Sequence, residues 1–452
     1  MTQIFSQYIQ QLLQESAMDP ANKWVSKDTA IFLVTSLAVR GSVQSKGAIA
    51  TNELVPVMDF FHNYILPDLQ HPNINATPVL KADAFKFVMT FRQQMSKEQL
   101  LVIIPEFIKH LPAESPVVVS YAASVLERVL CLRMGGMPMF SEAEVGAWAG
   151  DLLTNLFAAL SAQAENEYIM KAIMRTVASA KSSILPLAEN VTAALNGILM
   201  EVAKNPGKPR FNHFLFETIG SAVRFTCPNN PPAIDLFERQ LLPPFQLLLQ
   251  SDVVELQPYI FQILAQLLEY RAGGVPEFYM QLYQMLLNPV LWESSANAPP
   301  LVRLLQAYLV KGGQAMVSDP AILQGLLGIF LKLISSRATD LEGFHLLGAV
   351  VEILPLESLN QYIAQIWTSC VMRVQKSKTP KYMRGLLVFV CLLIGKHSGQ
   401  YVIDTLEGLG GVGRRRRRRK HVREARKTSG DDSRDSSSIF SLFYCAYLLF
   451  PS

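Results

Sequence analysis

Five cysteines in 452 residues, at positions 131, 227, 370, 391 and 445, form no Cys-x-x-Cys pair and no dense cluster. That scarcity excludes a disulfide-stapled scaffold and predicts a reducing, intracellular compartment. The seven histidines, at 62, 71, 110, 213, 345, 397 and 421, make no His-Glu-x-x-His and pair with no cysteine at metal spacing. No Gly-x-Ser-x-Gly elbow occurs, and no Gly-rich loop ends in Lys-Ser/Thr. Gly408 to Gly413 matches Gly-x-Gly-x-x-Gly by letter, but a helical stretch precedes it and arginines follow. That motif needs a strand before it and a helix N-terminus facing a pyrophosphate after it. The carboxylates fall at helix starts and on solvent faces, where capping and solubility explain them. Catalysis, a metal and a cofactor therefore have no candidate residues, and the chain is read as a non-enzyme.

Charge and long apolar runs are also scarce. Only 17% of residues are charged while half are hydrophobic, as suits helices covered on two or three sides. The longest clean apolar run, Leu386 to Ile394, sits between Arg384 and Lys396. It is far short of the ~20 residues that span a bilayer, so it is read as a buried helix and no membrane partner is expected. Thr2 to Gln14 is amphipathic and lacks the basic start and apolar core of a signal peptide. The formal charge of +4 comes from one end, since residues 411–452 hold 11 of the 41 Lys/Arg and 4 of the 37 Asp/Glu. The remaining 30 positive and 33 negative charges leave residues 1–410 at about −3, with no electrostatic footprint for specific nucleic-acid binding. No alternating period-2 segment stands out, so almost no strand is expected.

What the sequence does have is a repeated helical pattern. Leu301, Leu304, Leu305, Tyr308 and Leu309 form one stripe at helical period, and Gly312-Gly313 ends that helix. Asp319-Pro320 starts the next, whose Ile322, Leu323, Leu326, Leu327, Phe330, Leu331 and Ile334 make too wide a stripe for a helix covered on one side. Thr339 and Glu342 form a possible capping box for a third. Each antiparallel pair leaves apolar surface that the next must cover, which is the logic of an α-solenoid. The second helices of successive pairs are placed near 27, 78, 116, 167, 209, 255, 300, 340 and 380. That spacing brackets the ~40–47 residues of HEAT or armadillo repeats. Pro56, Pro105, Pro186 and Pro243-Pro244 are placed inside first helices, where a proline kinks the helix as in HEAT units. The predicted class is all-α, a HEAT-repeat right-handed superhelical solenoid of about nine pairs over residues 1–410. Met1 leads almost at once into an apolar helix with no room for a polar capping repeat, so a fragment or alternative start is expected.

Residues 411–452 break the repeat with Arg414 to Arg419 and Lys420, a polar acidic run, and a final apolar dozen. The expectation is a disordered tail, with a nuclear-localisation or polyanion-binding role as the alternative. Two polar stretches stand out in the body. Glu165 to Arg175 aligns Glu167, Lys171 and Arg175 on one helix edge, following Glu165 and Asn166. Lys204 to Glu217 crowds Lys208, Arg210 and His213 with aromatic groups at the mouth of the next pair. A solvated helix edge explains each as well as a partner site does. Their place on the same helix of adjacent repeats favours partner binding by Glu165, Asn166, Glu167, Lys171, Arg175, Lys208, Arg210 and His213.

Several stretches also resemble the CAS-type exportins of the importin-β superfamily. They are Pro78-Val-Leu-Lys-Ala-Asp83, Tyr121-Ala-Ala with Leu126-Glu-Arg128, Glu165 to Arg175, and the Asn205 to His213 run. Pro289-Val-Leu-Trp-Glu293, Leu301 to Ala307, Gly325-Leu-Leu-Gly328 and Lys332-Leu-Ile334 extend the likeness, which covers roughly residues 1–409. The resemblance implies HEAT repeats, importin-α as cargo and Ran-GTP as co-ligand, with export from nucleus to cytoplasm and release on GTP hydrolysis. The chain resembles the middle and later repeats only. The amino-terminal repeats that hold Ran in the family have no counterpart, so Ran-GTP binding is expected to be weakened or lost. The alternatives are a HEAT scaffold of another pathway or a transport-incompetent splice product.

Overall fold

The computed structural model describes residues 2–43, 45–316 and 320–408. The expectations for Asp319 and for the tail 411–452 lie outside the described residues. The chain divides into two compact units, the first ending at Leu256 and the second beginning at Gln257.

The first unit opens with α1 (Thr2–Met18) and α2 (Trp24–Ala38), followed by a hairpin of β1 (Val39–Val43) and β2 (Gly47–Thr51). Next come α3 (Val57–Phe60), a π-turn over Phe61–Ile65 and α4 (Leu66–Gln70), which form one bent first helix, and then α5 (Pro78–Phe91). The pairs continue with α6 (Lys97–Lys109) and α7 (Pro116–Leu130), a small hairpin of β3 (Arg133–Met134) and β4 (Met137–Pro138), then α8 (Glu142–Ala162) and α9 (Glu167–Ala180). A 3₁₀ turn over Lys181–Leu187 leads into α10 (Ala188–Val202), α11 (Pro209–Thr226) and α12 (Pro231–Gln250). The second helices α5, α7, α9 and α11 pack one on the next, so the stripe of each covers its neighbour. Phe85, Val125, Ile173 and Ile219 on these helices are wholly buried.

Caps set the helix starts. Ser96 with Gln99 and Ser141 with Glu144 form the two capping boxes that their spacing predicts. Pro78, Pro116 and Pro209 occupy the first turns of α5, α7 and α11, where their missing N–H costs nothing. Pro105 and Pro243-Pro244 do lie inside α6 and α12. Pro56 does not; it precedes α3 as the capping residue. Pro67 falls in the first turn of α4, directly after the π-turn, where a proline is tolerated. Pro186 lies in the 3₁₀ turn ahead of α10 rather than within a first helix.

The β1–β2 hairpin was not anticipated. Its register pairs Val39 with Thr51 and Val43 with Gly47. Arg92 Nη2 donates to the Ser45 carbonyl at 2.7 Å, and Gln94 Nε2 to that of Ala48 at 2.9 Å. Gly47 has φ +83°, and a Cβ there would lie 2.5 Å from the Thr90 carbonyl oxygen, so only glycine fits.

The second unit contains α13 (Gln257–Tyr270), α14 (Glu277–Leu286), α15 (Ala298–Met316), α16 (Pro320–Ser335) and α17 (Asp340–Ile353). It closes with α18 (Leu356–Asn360), α19 (Ile363–Lys376), α20 (Pro380–Lys396) and α21 (Gly399–Gly408). Here α13, α15, α17 and α20 stack in sequence. Gly313 breaks α15 at φ 51°, as the Gly312-Gly313 pair predicts. Thr339 makes no side-chain cap. Its hydroxyl donates instead to the Leu333 carbonyl at 2.9 Å, and Glu342 faces His345. The apolar run in α20 is only half covered: Leu386, Phe389, Val390 and Leu393 are buried, whereas Leu387 and Val388 are exposed.

An Asp340–Arg373 pair joins α17 to α19 in the core, with both residues under a tenth exposed. Arg373 Nη2 lies 3.3 Å from Asp340 Oδ2, its Nε donates to the Ile334 carbonyl, and its guanidinium stacks 5.0 Å from the Tyr382 ring centre. Burial pushes the Cys370 thiol beneath Tyr382 up to about 12, so it stays protonated. The other described cysteines are likewise free thiols.

Candidate partner-binding surface

The two polar stretches meet. Asn166 caps α9, its Oδ1 accepting from Tyr168 N at 3.0 Å and Ile169 N at 3.3 Å. Its Nδ2 donates to Ser120 Oγ of α7 and to Gln163 Oε1, both at 2.9 Å. Asn166 is therefore a structural joint between turns rather than a spare contact. Glu165, just before it, takes the left-handed φ of 57° that turns the chain into α9.

The charged groups interlock across the helices. Lys208 Nζ lies 2.8 Å from Glu165 Oε2, and Arg210 Nη1 lies 3.2 Å from Glu167 Oε1, so the start of α11 is tied to the start of α9. Both cations are exposed and both carboxylates are half-buried. Lys171 and Arg175 turn the other way, toward α7, where they approach Glu127 Oε1 at 3.5 and 3.7 Å. Lys171 also lies 5.8 Å from the Phe214 ring centre, and His213 is exposed beside that ring. Ile169, Ile173 and Phe216 are core residues, whereas Phe214 is only half-buried. An open cleft of about 680 Å³ runs between Tyr121, Ser124, Glu127, Tyr168, Lys171 and Arg210. The eight residues singled out from the sequence thus lie at adjoining positions at the start of and along α9 and α11, beside α7, with Asn166 and the Lys171–Arg175 pair also serving the fold.

Sequence reasoning missed Glu127 as the shared partner of Lys171 and Arg175 and missed Tyr168, which is half exposed at the cleft. A signal was present: Glu165 and Lys208, Glu167 and Arg210, and Glu127 and Lys171 are opposite charges 43 to 44 residues apart, one repeat. Burial pushes the Cys131 thiol, which donates to Glu127, up to about 11, with the Glu127 charge adding to it. The helical run from Glu167 to Val202 has the length and hydropathy of a membrane span, but it is broken at Lys181, with φ 47°, and α9 packs on both α7 and α11. Among the described residues no His/Cys/Asp/Glu group is arranged to hold a metal.

Comparison with known proteins decides the family. A family model described as "CAS/CSE protein, C-terminus" matches residues 127–410, and one described as "Cse1" matches residues 1–126. The chain belongs to the CAS/CSE family. Among members it is 48% identical to Exportin-2 of Oreochromis niloticus over 413 residues and 46% identical to Exportin-2 of Homo sapiens over 412. Each alignment covers 90% of this chain and 42% of the relative, so the chain spans less than half the length of these CAS/CSE proteins. A solved structure of the exportin Cse1 in its cargo-free, cytoplasmic state superposes with a TM-score of 0.78 at 33% identity, over 92% of this chain and 43% of that one. Yeast importin-β (Kap95p) follows at a TM-score of 0.56 and 12% identity, over 89% of this chain and 51% of that one, a likeness of fold alone. The all-α HEAT-repeat class expected from the helical period is thereby the class of the CAS/CSE chain.

Proposed function

We propose that residues 1–410 are the protein-binding body of an exportin-type nuclear transport receptor that takes importin-α as cargo and Ran-GTP as co-ligand. The receptor moves between nucleus and cytoplasm. The match to the exportin Cse1 across 92% of the chain carries this reading. The interlocked edge of α9 and α11 supports it: Lys208 and Arg210 are exposed, and each sits beside a carboxylate. Such a mixed-charge edge sets the register of a partner more than the raw affinity.

A receptor of this kind works by linkage. Cargo and Ran-GTP favour the same conformation, so each strengthens the other's binding by the same factor, typically about 5–150-fold. Hydrolysis of GTP removes one ligand and the other is released. No covalent step by the receptor is required. The test is capture of purified importin-α on the immobilised chain, with and without GTP-loaded Ran. Specific capture in either condition supports the reading, and no capture in both contradicts it.

A further inference from the structure

The cleft over Glu127 continues past the partner edge into a strongly basic groove. A cavity of about 610 Å³ is lined by Lys46, Arg92, Arg128, Arg133, Lys171 and Arg175, with Glu127 the one acidic residue in its lining. Its wall is built by the β1–β2 hairpin, which Arg92 holds down through Ser45, and by the Arg133–Pro138 hairpin after α7. Arg128 lies at the junction, shared with the 680 Å³ cleft on one side and with a third hollow beside Gly47 and Lys86 on the other.

We propose that this groove binds an acidic segment of a protein partner, laid in extended form across α5, α7 and α9. The charge is gathered against the trend of the molecule, since residues 1–410 carry 30 positive and 33 negative side chains while this one cavity holds six cations to one carboxylate. Like charges brought together oppose one another's ionised form and need an anion to offset them. Burial and the neighbouring Arg128 already hold the Arg92 guanidinium below its ordinary pKa. Glu127 is a partial offset, because one of its oxygens serves both Lys171 and Arg175. Seven of the residues lining the cavity are charged and the hollows run into one another through Arg128, unlike the enclosed pocket of a small ligand. Arginine clusters of this kind recognise acidic or phosphorylated peptide motifs. A single-stranded nucleic acid is disfavoured because no aromatic side chain lines this cavity for its bases to stack on.

This inference stands apart from the choice of cargo, and its test does not use importin-α. A fluorescein-labelled peptide of alternating Glu and Asp is titrated with the whole chain by anisotropy at low salt, beside a phosphoserine-bearing peptide and an oligothymidylate of equal charge. The acidic peptide should bind, and should weaken as salt rises from about 50 to about 200 mM. The Lys46→Glu, Arg133→Glu variant changes two exposed positions and should lose at least about tenfold in affinity, with the circular dichroism spectrum and Tm unchanged. If that variant melts early, the Lys46→Ala, Arg133→Ala variant carries the same test with a smaller loss. Tighter binding of the phosphoserine peptide identifies a phosphorylated segment as the source of the anion, and equal or weaker binding a carboxylate-rich one. No peptide binding, equal binding by the variants, or tighter binding of the oligothymidylate overturns the proposal. Importin-α capture is read separately, so either result can fail without the other.

Discussion

Glu127 is 6% exposed and faces Lys171 and Arg175 from the neighbouring helix, so reversing those two cations would set three carboxylates around one buried site. Read from the sequence alone, Lys171 and Arg175 look like an exposed edge whose reversal leaves the fold alone. The structure changes that expectation: Lys171→Glu with Arg175→Glu should cost about 1–3 kcal/mol in thermal unfolding, because Glu127 loses its partners. Lys208→Glu with Arg210→Glu should stay within about 0.5 kcal/mol, as exposed substitutions do. Ile173→Ala, in the core of α9, should cost about 2–5 kcal/mol. In the second unit, Arg373→Leu leaves buried Asp340 with only Lys381, 3.8 Å away, and should cost about 3–5 kcal/mol, whereas replacing both Asp340 and Arg373 with apolar residues should cost less. Calorimetry of the three variants in the first set and the two in the second orders them. Asp83 gives a pH signature. Burial, with Asp28 beside it, pushes its carboxyl up to about 7 from 3.8, against an opposing pull from Lys86. The folded chain then holds a proton that the unfolded chain has released, so the stability from this group is complete below about 3.8 and lost as pH rises through about 7. Asp83→Asn should flatten that fall in a series of melts from pH 4 to 8, and an unchanged slope would rule Asp83 out as its source.

At the scale of helices, start signals were the most legible feature. The second helices begin at 24, 78, 116, 167, 209, 257, 298, 340 and 380, all within three residues of the positions read from caps, prolines and stripes. Local chemistry fixes these ends: a Ser/Gln or Ser/Glu box needs only its own turn, and a proline at the first position needs no partner. Pro56 was misread because its helix starts one residue later and then passes through a π-turn, which no local pattern announces. The hairpin after α2 was hidden for a similar reason. Its Arg-Gly-Ser and Ser-Lys-Gly composition reads as loop, and what orders it is Arg92 and Gln94 from the turn just after α5. Of the candidate surface, the placement of the two polar stretches on neighbouring second helices was legible but their pairing was not, since Glu127 lies one repeat away from its cations. Two substitutions check this level. Asn166→Ala should cost about 0.5–2 kcal/mol by removing the α9 cap, through stability rather than partner contact. Gly385→Ala should cost about 1–3 kcal/mol, because a Cβ there would lie 2.5 Å from the Phe344 ring where α20 crosses α17.

At the scale of the whole molecule, each unit buries its apolar stripes by stacking second helices, and the first unit leaves its charged groups collected along α7, α9 and α11. That division lets a repeat array vary a surface while keeping its core. Membership of the CAS/CSE family supplies the expectation that such a surface meets a transport partner. The central claim is that the edge made by Lys208 and Arg210 contacts importin-α, and the direct measurement is the Kd for importin-α of the chain and of its Lys208→Glu, Arg210→Glu variant at matched Tm. The account predicts binding that weakens at least about tenfold in the variant, since truncating or reversing interface charges removes complementarity without touching the core. Equal affinities, or no binding by the unaltered chain, would contradict it.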